Sequence, residues 1–119
     1  MGQSRPLALV VEDDELQREL ASVVLEECDM DVISCGTAEA ATAILESLHR
    51  RPTMLFTDVQ LPGALTGADL AYLMHSKYPD ARVLVTSGDE LPPALPDGAH
   101  FMPKPWTPVE LIREASAVG

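Results

Sequence analysis

Positive charge is scarce in this chain: 8 lysines and arginines stand against 19 acids in 119 residues, a formal net charge of -11. So acidic a surface repels phosphate backbones, which disfavours direct nucleic-acid binding and leaves any effect on DNA to a partner. Cysteine is nearly absent. Cys28 and Cys35 have neither metal-ligand nor redox-motif spacing and read as two reduced thiols packed near a strand. No apolar run approaches the ~18 residues that cross a bilayer, and Met1-Gly2-Gln3-Ser4-Arg5-Pro6 lacks the apolar core of a signal peptide. A cytoplasmic chain without membrane contact is expected. Internal repeats, linkers and low-complexity tracts are also missing. A hydrophobic content of 46% nevertheless suffices for a core. The expectation is one domain over residues 1–119 with its core at about 6–117.

What the chain does have is a regular alternation of short apolar runs with helical patterns, which argues for repeated strand-helix units. Leu7 to Val11 is the first run. Leu16, Leu20, Val23 and Val24 then recur at helical spacing, predicting a helix from about Glu15 to Cys28 capped by Asp14. Asp31 to Cys35 reads as a second strand. Gly36-Thr37 opens an Ala-rich helix with an apolar face of Ala41, Ile44, Leu45 and Leu48, expected to run to Arg51-Pro52. Thr53 to Thr57 is the third strand, left by way of a Pro62-Gly63 turn signal. Leu70, Leu73 and Met74 mark a third helix stopped at Tyr78-Pro79-Asp80, and Arg82 to Thr86 makes the fourth strand. His100-Phe101-Met102 is a short fifth strand. Thr107-Pro108-Val109-Glu110 then combines a capping box with proline at the first helical position. Where a helix is due between the fourth and fifth strands, Asp89 to Gly98 carries Pro92, Pro93 and Pro96, so at most one irregular turn is expected. Right-handed crossovers between parallel strands give an α/β doubly wound sheet with helices on both faces.

Three distant fragments form one chemical set: Glu12-Asp13-Asp14 after the first strand, Asp58 after the third, and Lys104 after the fifth. A parallel sheet places all of them at the carboxyl ends of its strands, where such folds bind ligands. Carboxylates crowded there repel one another unless a divalent cation bridges them and a lysine offsets the remaining charge. The arrangement points to phosphoryl chemistry on an aspartate.

On these residues the chain resembles the response-regulator receiver domains of two-component signalling, the CheY-like family. Glu12-Asp13, Asp58, Thr86, Phe101 and Lys104-Pro105 match its motifs in order, and the likeness runs from Pro6 to about Ala117. The resemblance implies a flavodoxin/CheY-like five-stranded parallel sheet of order 2-1-3-4-5, here with a degenerate fourth helix. It implies that Asp58 accepts a phosphoryl group directly, as a carboxylate can without a base to deprotonate it. Glu12 and Asp13 match the acid pair that holds magnesium. Asp13, Asp58 and the backbone carbonyl of Gln60 make the direct ligand set, and Glu12, in place of the commoner aspartate, acts through water. Lys104 would place its ammonium against a phosphoryl oxygen, with its bond to Pro105 cis. Thr86 would hydrogen-bond another phosphoryl oxygen, and Phe101 would follow the threonine or simply pack in the core. Gln60 and Gly88 lie where receivers tune access of water, and the open Gly88 side implies moderately fast dephosphorylation.

Several readings compete. The first is a stand-alone response regulator, phosphorylated by a sensor histidine kinase or phosphotransfer protein and acting on a downstream output protein; it is self-phosphorylating and not a multiple-turnover enzyme. A start at Met1 and an end just after the last helix favour it over a receiver excised from a hybrid histidine kinase. A phosphohydrolase with an aspartyl-phosphate intermediate would need a second acid two residues after Asp58, where Gln60 stands. A flavin-binding electron carrier would need a phosphate loop where this chain has four acids, Glu12 to Glu15. An unphosphorylated scaffold of the same shape stays open on sequence alone, although the full set of acids and lysine argues against it. The loop from Pro62 to Gly67 is one residue longer than the commonest receiver pattern. The Pro-rich segment alters the face through which receivers commonly dimerise, leaving the oligomeric state open. His49, His75 and His100 lack metal spacing and belong on helix surfaces or a strand edge.

Overall fold

A computed structural model describes residues 5–88 and 94–118. Among these the order of elements is β1 (Leu7–Val11), α1 (Glu15–Glu27), β2 (Asp31–Cys35), α2 (Ala38–Ser47), β3 (Met54–Asp58), α3 (Gly67–Lys77), β4 (Arg82–Ser87), β5 (His100–Pro103) and α4 (Pro108–Ser116). The strands form one sheet in the order β2-β1-β3-β4-β5, and every neighbouring pair is parallel. This is the doubly wound arrangement that the sequence implied.

Alternation along the strands sorts the apolar side chains into two cores. Ala8 and Val10 of β1, Met54 and Phe56 of β3, Leu84 and Met102 face one side, under Ala21, Val24 and Leu25 of α1 and Leu111 and Ala115 of α4. Leu9, Val11, Leu55, Val83 and Val85 face the other, under Ala38, Ala41 and Leu45 of α2 and Leu70, Ala71 and Met74 of α3. Trp106 joins the first core and meets Phe56 edge to face, the ring centroids 5.5 Å apart.

Helix starts follow local chemistry. Asp14 caps α1 by accepting from the N–H of Gln17 at 2.9 Å, and Thr37 caps α2 by accepting from that of Ala40 at 3.0 Å. At α4 both halves of the capping box close: Thr107 Oγ1 accepts from the Glu110 N–H at 3.2 Å, and Glu110 Oε1 from the Thr107 N–H at 2.9 Å. Thr107→Ala should therefore lower stability by about 1 kcal/mol, and Thr107→Ser should restore most of it, as urea unfolding would measure.

Several boundaries move by one residue, and two elements differ in ways that matter. α2 ends at Ser47, well short of Arg51-Pro52, and Leu48 is already extended. Ser47 Oγ bonds back to the carbonyls of Ala43 and Ile44, both at 3.2 Å. Arg50 then turns to the Asp31 carboxylate, 2.9 Å away, and to the Arg5 carbonyl. These contacts accompany the early end of the helix. β3 is shifted by one residue, so that Asp58 lies inside the strand, in register with Thr86 of β4. Of the Pro-rich segment, residues 89–93 lie outside the described residues. Residues 94–99 contain no helix, only a turn at Asp97-Gly98, and Leu95 and Ala99 pack against the second core.

Candidate functional site

In this strand order β1 and β3 are central neighbours whose chains leave in opposite directions, which is where a doubly wound sheet opens a crevice at its carboxyl rim. Glu12 follows β1 directly. Its N–H donates to the Cys35 carbonyl at 3.1 Å, and its own carbonyl accepts from Arg18 Nη1 at 2.9 Å, so its main chain is fixed from both flanking elements. The side chain is only 1% exposed, yet both oxygens have partners: Oε1 accepts from Lys104 Nζ at 3.1 Å and Oε2 from the Asp14 N–H at 3.1 Å. Burial pushes the Glu12 carboxyl above its ordinary range, against the pull of the Asp14 N–H and the Lys104 ammonium.

Asp58 sits at the end of β3 with 8% of its side chain open to solvent, so it is reachable from the rim and not sealed. One carboxylate oxygen accepts from the Gln60 N–H at 3.0 Å and the other from Lys104 Nζ at 2.7 Å. Lys104 is placed by strand pairing, its N–H donating to the Ser87 carbonyl at 2.9 Å just past β5, and its peptide bond to Pro105 is cis. Burial works against the charged ammonium, but the hydrogen bonds to Asp58 and Glu12 outweigh it and hold Lys104 above its ordinary pKa.

Oxygen atoms of Glu12, Asp13 and Asp58 lie within 4.8 Å of one another, with Asp13 exposed and the other two buried. Unit negative charges at such a separation repel by about 3 kcal/mol per pair at an effective dielectric constant of about 20, and one ammonium offsets only part of this. An all-oxygen, partly open set of this kind suits a hard divalent cation such as magnesium. Thr86 Oγ1, on the strand beside Asp58, is fully buried and has no hydrogen-bond partner among the described residues. A buried hydroxyl in that condition fits a site where an acceptor oxygen is meant to arrive.

Other expected residues fall as follows. The Gln60 N–H turns in toward Asp58 while the residue is exposed. Phe101 is half-buried and belongs to neither core, lining a cavity with Glu110, Arg113 and Glu114. Among the described residues a Cβ built on Gly88 would meet nothing within 4 Å. Cys28 and Cys35 are free thiols, and burial raises the Cys35 pKa. His49, His75 and His100 are exposed and apart from the rim. A cavity of about 440 Å³ between Arg51, Tyr78, Arg82 and Val118 lies at the amino ends of the strands, away from the acids, so concavity alone would misplace the chemistry. Three residues at or near the site escaped the sequence reading. Arg18 and Glu39 are polar residues on helices and carry no local signal, whereas Gly67 could have been found. Thr66 before it and Asp69 after it form a capping box like that of α4.

The comparisons agree with this geometry. The family model described as the response regulator receiver domain matches residues 8–116. The transcriptional regulatory protein AruR of Pseudomonas aeruginosa is 33% identical over 117 residues, covering 92% of this chain and 48% of that protein. The DNA-binding response regulator MtrA of Mycobacterium tuberculosis is 32% identical over 123 residues, covering 98% of this chain and 52% of that one. The chain thus spans about half the length of the curated relatives it matches. Among solved structures, the receiver domain from the hybrid histidine kinase CckA superposes with a TM-score of 0.79 at 27% identity, over 93% of this chain and 96% of that one. A response regulator receiver protein from Sinorhizobium medicae shares the fold with a TM-score of 0.86 at 19% identity, over 95% and 93%. The crowded carboxylates, the lysine between them and these matches together place the chain in the response-regulator receiver domain family.

Proposed function

We propose that this chain is a single receiver domain that accepts a phosphoryl group on Asp58 in a magnesium-dependent reaction and relays the signal by changing its affinity for a partner. The observation that carries this reading is the Lys104 ammonium held between Asp58 and Glu12, at 2.7 and 3.1 Å, inside an acid cluster. As a receiver, the chain is a self-phosphorylating module and not a multiple-turnover enzyme.

In the reaction, an Asp58 carboxylate oxygen forms a bond to phosphorus while the bond from phosphorus to the donor breaks. The electron pair leaves with the donor, an imidazole nitrogen of a phosphohistidine or the carboxylate of an acyl phosphate. Asp13, Asp58 and the Gln60 carbonyl would hold magnesium, with Glu12 supporting through water; the ion supplies positive charge to the acids and to the incoming phosphoryl oxygens. Lys104 keeps its charge at the oxygen where negative charge accumulates. Thr86 Oγ1 gains an acceptor only once Asp58 is modified, so its hydrogen bond contributes to the phosphorylated state alone, and that difference shifts the population of conformers.

The donor on this reading is a sensor histidine kinase or a phosphotransfer protein, and the recipient is an output protein. The excess of acids disfavours DNA as the direct recipient. The likeness to the CckA receiver domain favours as runner-up a module of a hybrid histidine kinase. Among the described residues no helix is long and apolar enough to cross a membrane.

The test is incubation with acetyl phosphate and magnesium followed by intact mass. A phosphoryl-sized gain is expected, and excess chelator should abolish it. Uptake that persists without a divalent ion would refute the metal requirement, and no uptake at all would refute the acceptor.

A further inference from the structure

We propose that Glu39 is a positioning residue for the acceptor, its carboxylate clamping the tip of the loop after β3 and so fixing the main chain beside Asp58. This rests on the reading of Asp58 as the phosphoryl acceptor. The loop runs from Val59 to Thr66 without regular structure. Its base is closed by the Gly67 N–H donating to the Val59 carbonyl at 2.9 Å. Its tip is held from a different element. Glu39, in the first turn of α2, accepts through Oε2 from the N–H of Ala64 at 2.8 Å and that of Leu65 at 3.1 Å. The same carboxylate lies flush against Gly63, where a built Cβ would stand 2.8 Å from both oxygens, and Gly63 has a φ of +102°.

Between these two fixed points lies Gln60. Its N–H donates to the Asp58 carboxylate at 3.0 Å, and its carbonyl belongs to the proposed metal set. A loop freed at the tip would let Gln60 drift, disturbing one acceptor oxygen and one metal ligand together. The clamp is ionised at neutral pH. Its own N–H, and those of Leu65 and Ala64, hold the Glu39 carboxyl below its usual range. Because the Ala64 and Leu65 amides are on an exposed loop, water replaces Glu39 readily when it is removed. The loss should therefore be felt in the site and hardly in global stability.

The test compares wild type with Glu39→Ala and Glu39→Gln. For Glu39→Ala, the magnesium concentration that half-saturates phosphorylation by acetyl phosphate should rise roughly tenfold, the scale on which outer-shell partners change metal affinity. The urea midpoint should stay near the wild-type value. Glu39→Gln keeps an acceptor oxygen and should recover most of the wild-type magnesium dependence. Hydrogen exchange of the Ala64 and Leu65 amides should quicken in Glu39→Ala only. An unchanged magnesium dependence in Glu39→Ala, or a glutamine variant as impaired as the alanine one, overturns the clamp. Should wild type take up no phosphoryl group, the acceptor reading falls separately. The clamp is then judged by exchange at those amides and by magnesium titration of Trp106 fluorescence, and wild-type behaviour of Glu39→Ala in both would end it.

Discussion

Asp58→Asn should lose the phosphoryl-sized mass gain completely: acetyl phosphate and magnesium are expected to leave the variant at its starting mass under conditions expected to modify the wild type. The amide is nearly isosteric with the carboxylate but has no anionic oxygen to attack phosphorus. Neither neighbour substitutes for it. Glu12 is nearly closed to solvent and has both oxygens engaged, one by Lys104 and one by the Asp14 N–H. Asp13 is exposed, and among the described residues the Lys104 ammonium pairs with Glu12 and Asp58 and not with Asp13. The substitution also puts one donor against another. An amide nitrogen must face either Lys104 Nζ or the Gln60 N–H, where Asp58 now accepts from both. Intact mass with peptide mapping checks the result, and label on Asp13 or Glu12 would remove Asp58 from the role.

Gly67→Ala should damage both fold and reaction. A Cβ at Gly67 would lie 1.8 Å from the Asp58 carbonyl oxygen and 2.7 Å from its carbon. Those atoms are strand backbone, so no side-chain rotation relieves the overlap; either the end of β3 or the first turn of α3 must move. Overpacking of this kind costs roughly 1–3 kcal/mol and occasionally more, and the upper end is expected against backbone. A displacement of about 1 Å at a reacting group can cost roughly 100-fold in rate. Urea unfolding and the rate of acetyl phosphate uptake measure the two effects. Gly88→Ala is the control for stability, since among the described residues nothing lies within 4 Å of its Cβ, and should leave the urea midpoint nearly unchanged. A Gly67→Ala variant with wild-type stability and rate would mean that the close approach to Asp58 does not matter.

Much of this was legible in the sequence because local chemistry and tertiary structure agree. Leu7 to Val11 is an unbroken apolar run and Asp31 to Cys35 carries Val32 and Ile33 before the Gly36 turn signal, and both are strands over those same residues. Thr107 and Glu110 announced their helix, and both of their hydrogen bonds form. Positions failed where a distant partner decided the outcome. Nothing near Ser47 announces a helix end; Asp31 and the Arg5 carbonyl, which capture Arg50, are remote in sequence. The same holds at the site. Glu12, Asp13, Asp58 and Lys104 come together because each ends or closely follows a strand, and a parallel sheet sends all strand ends of one kind to the same rim. Glu39 gave no such sign, since a glutamate in the first turn of a helix is already explained by the helix itself.

The Phe56 and Trp106 rings touch inside the molecule, Phe56 two positions before Asp58 and Trp106 two positions after Lys104. A fully buried ring and a half-buried one thus tie the strand that carries Asp58 to the segment that carries Lys104. Shrinking either ring should loosen the distance between the carboxylate and the ammonium without touching a charged group.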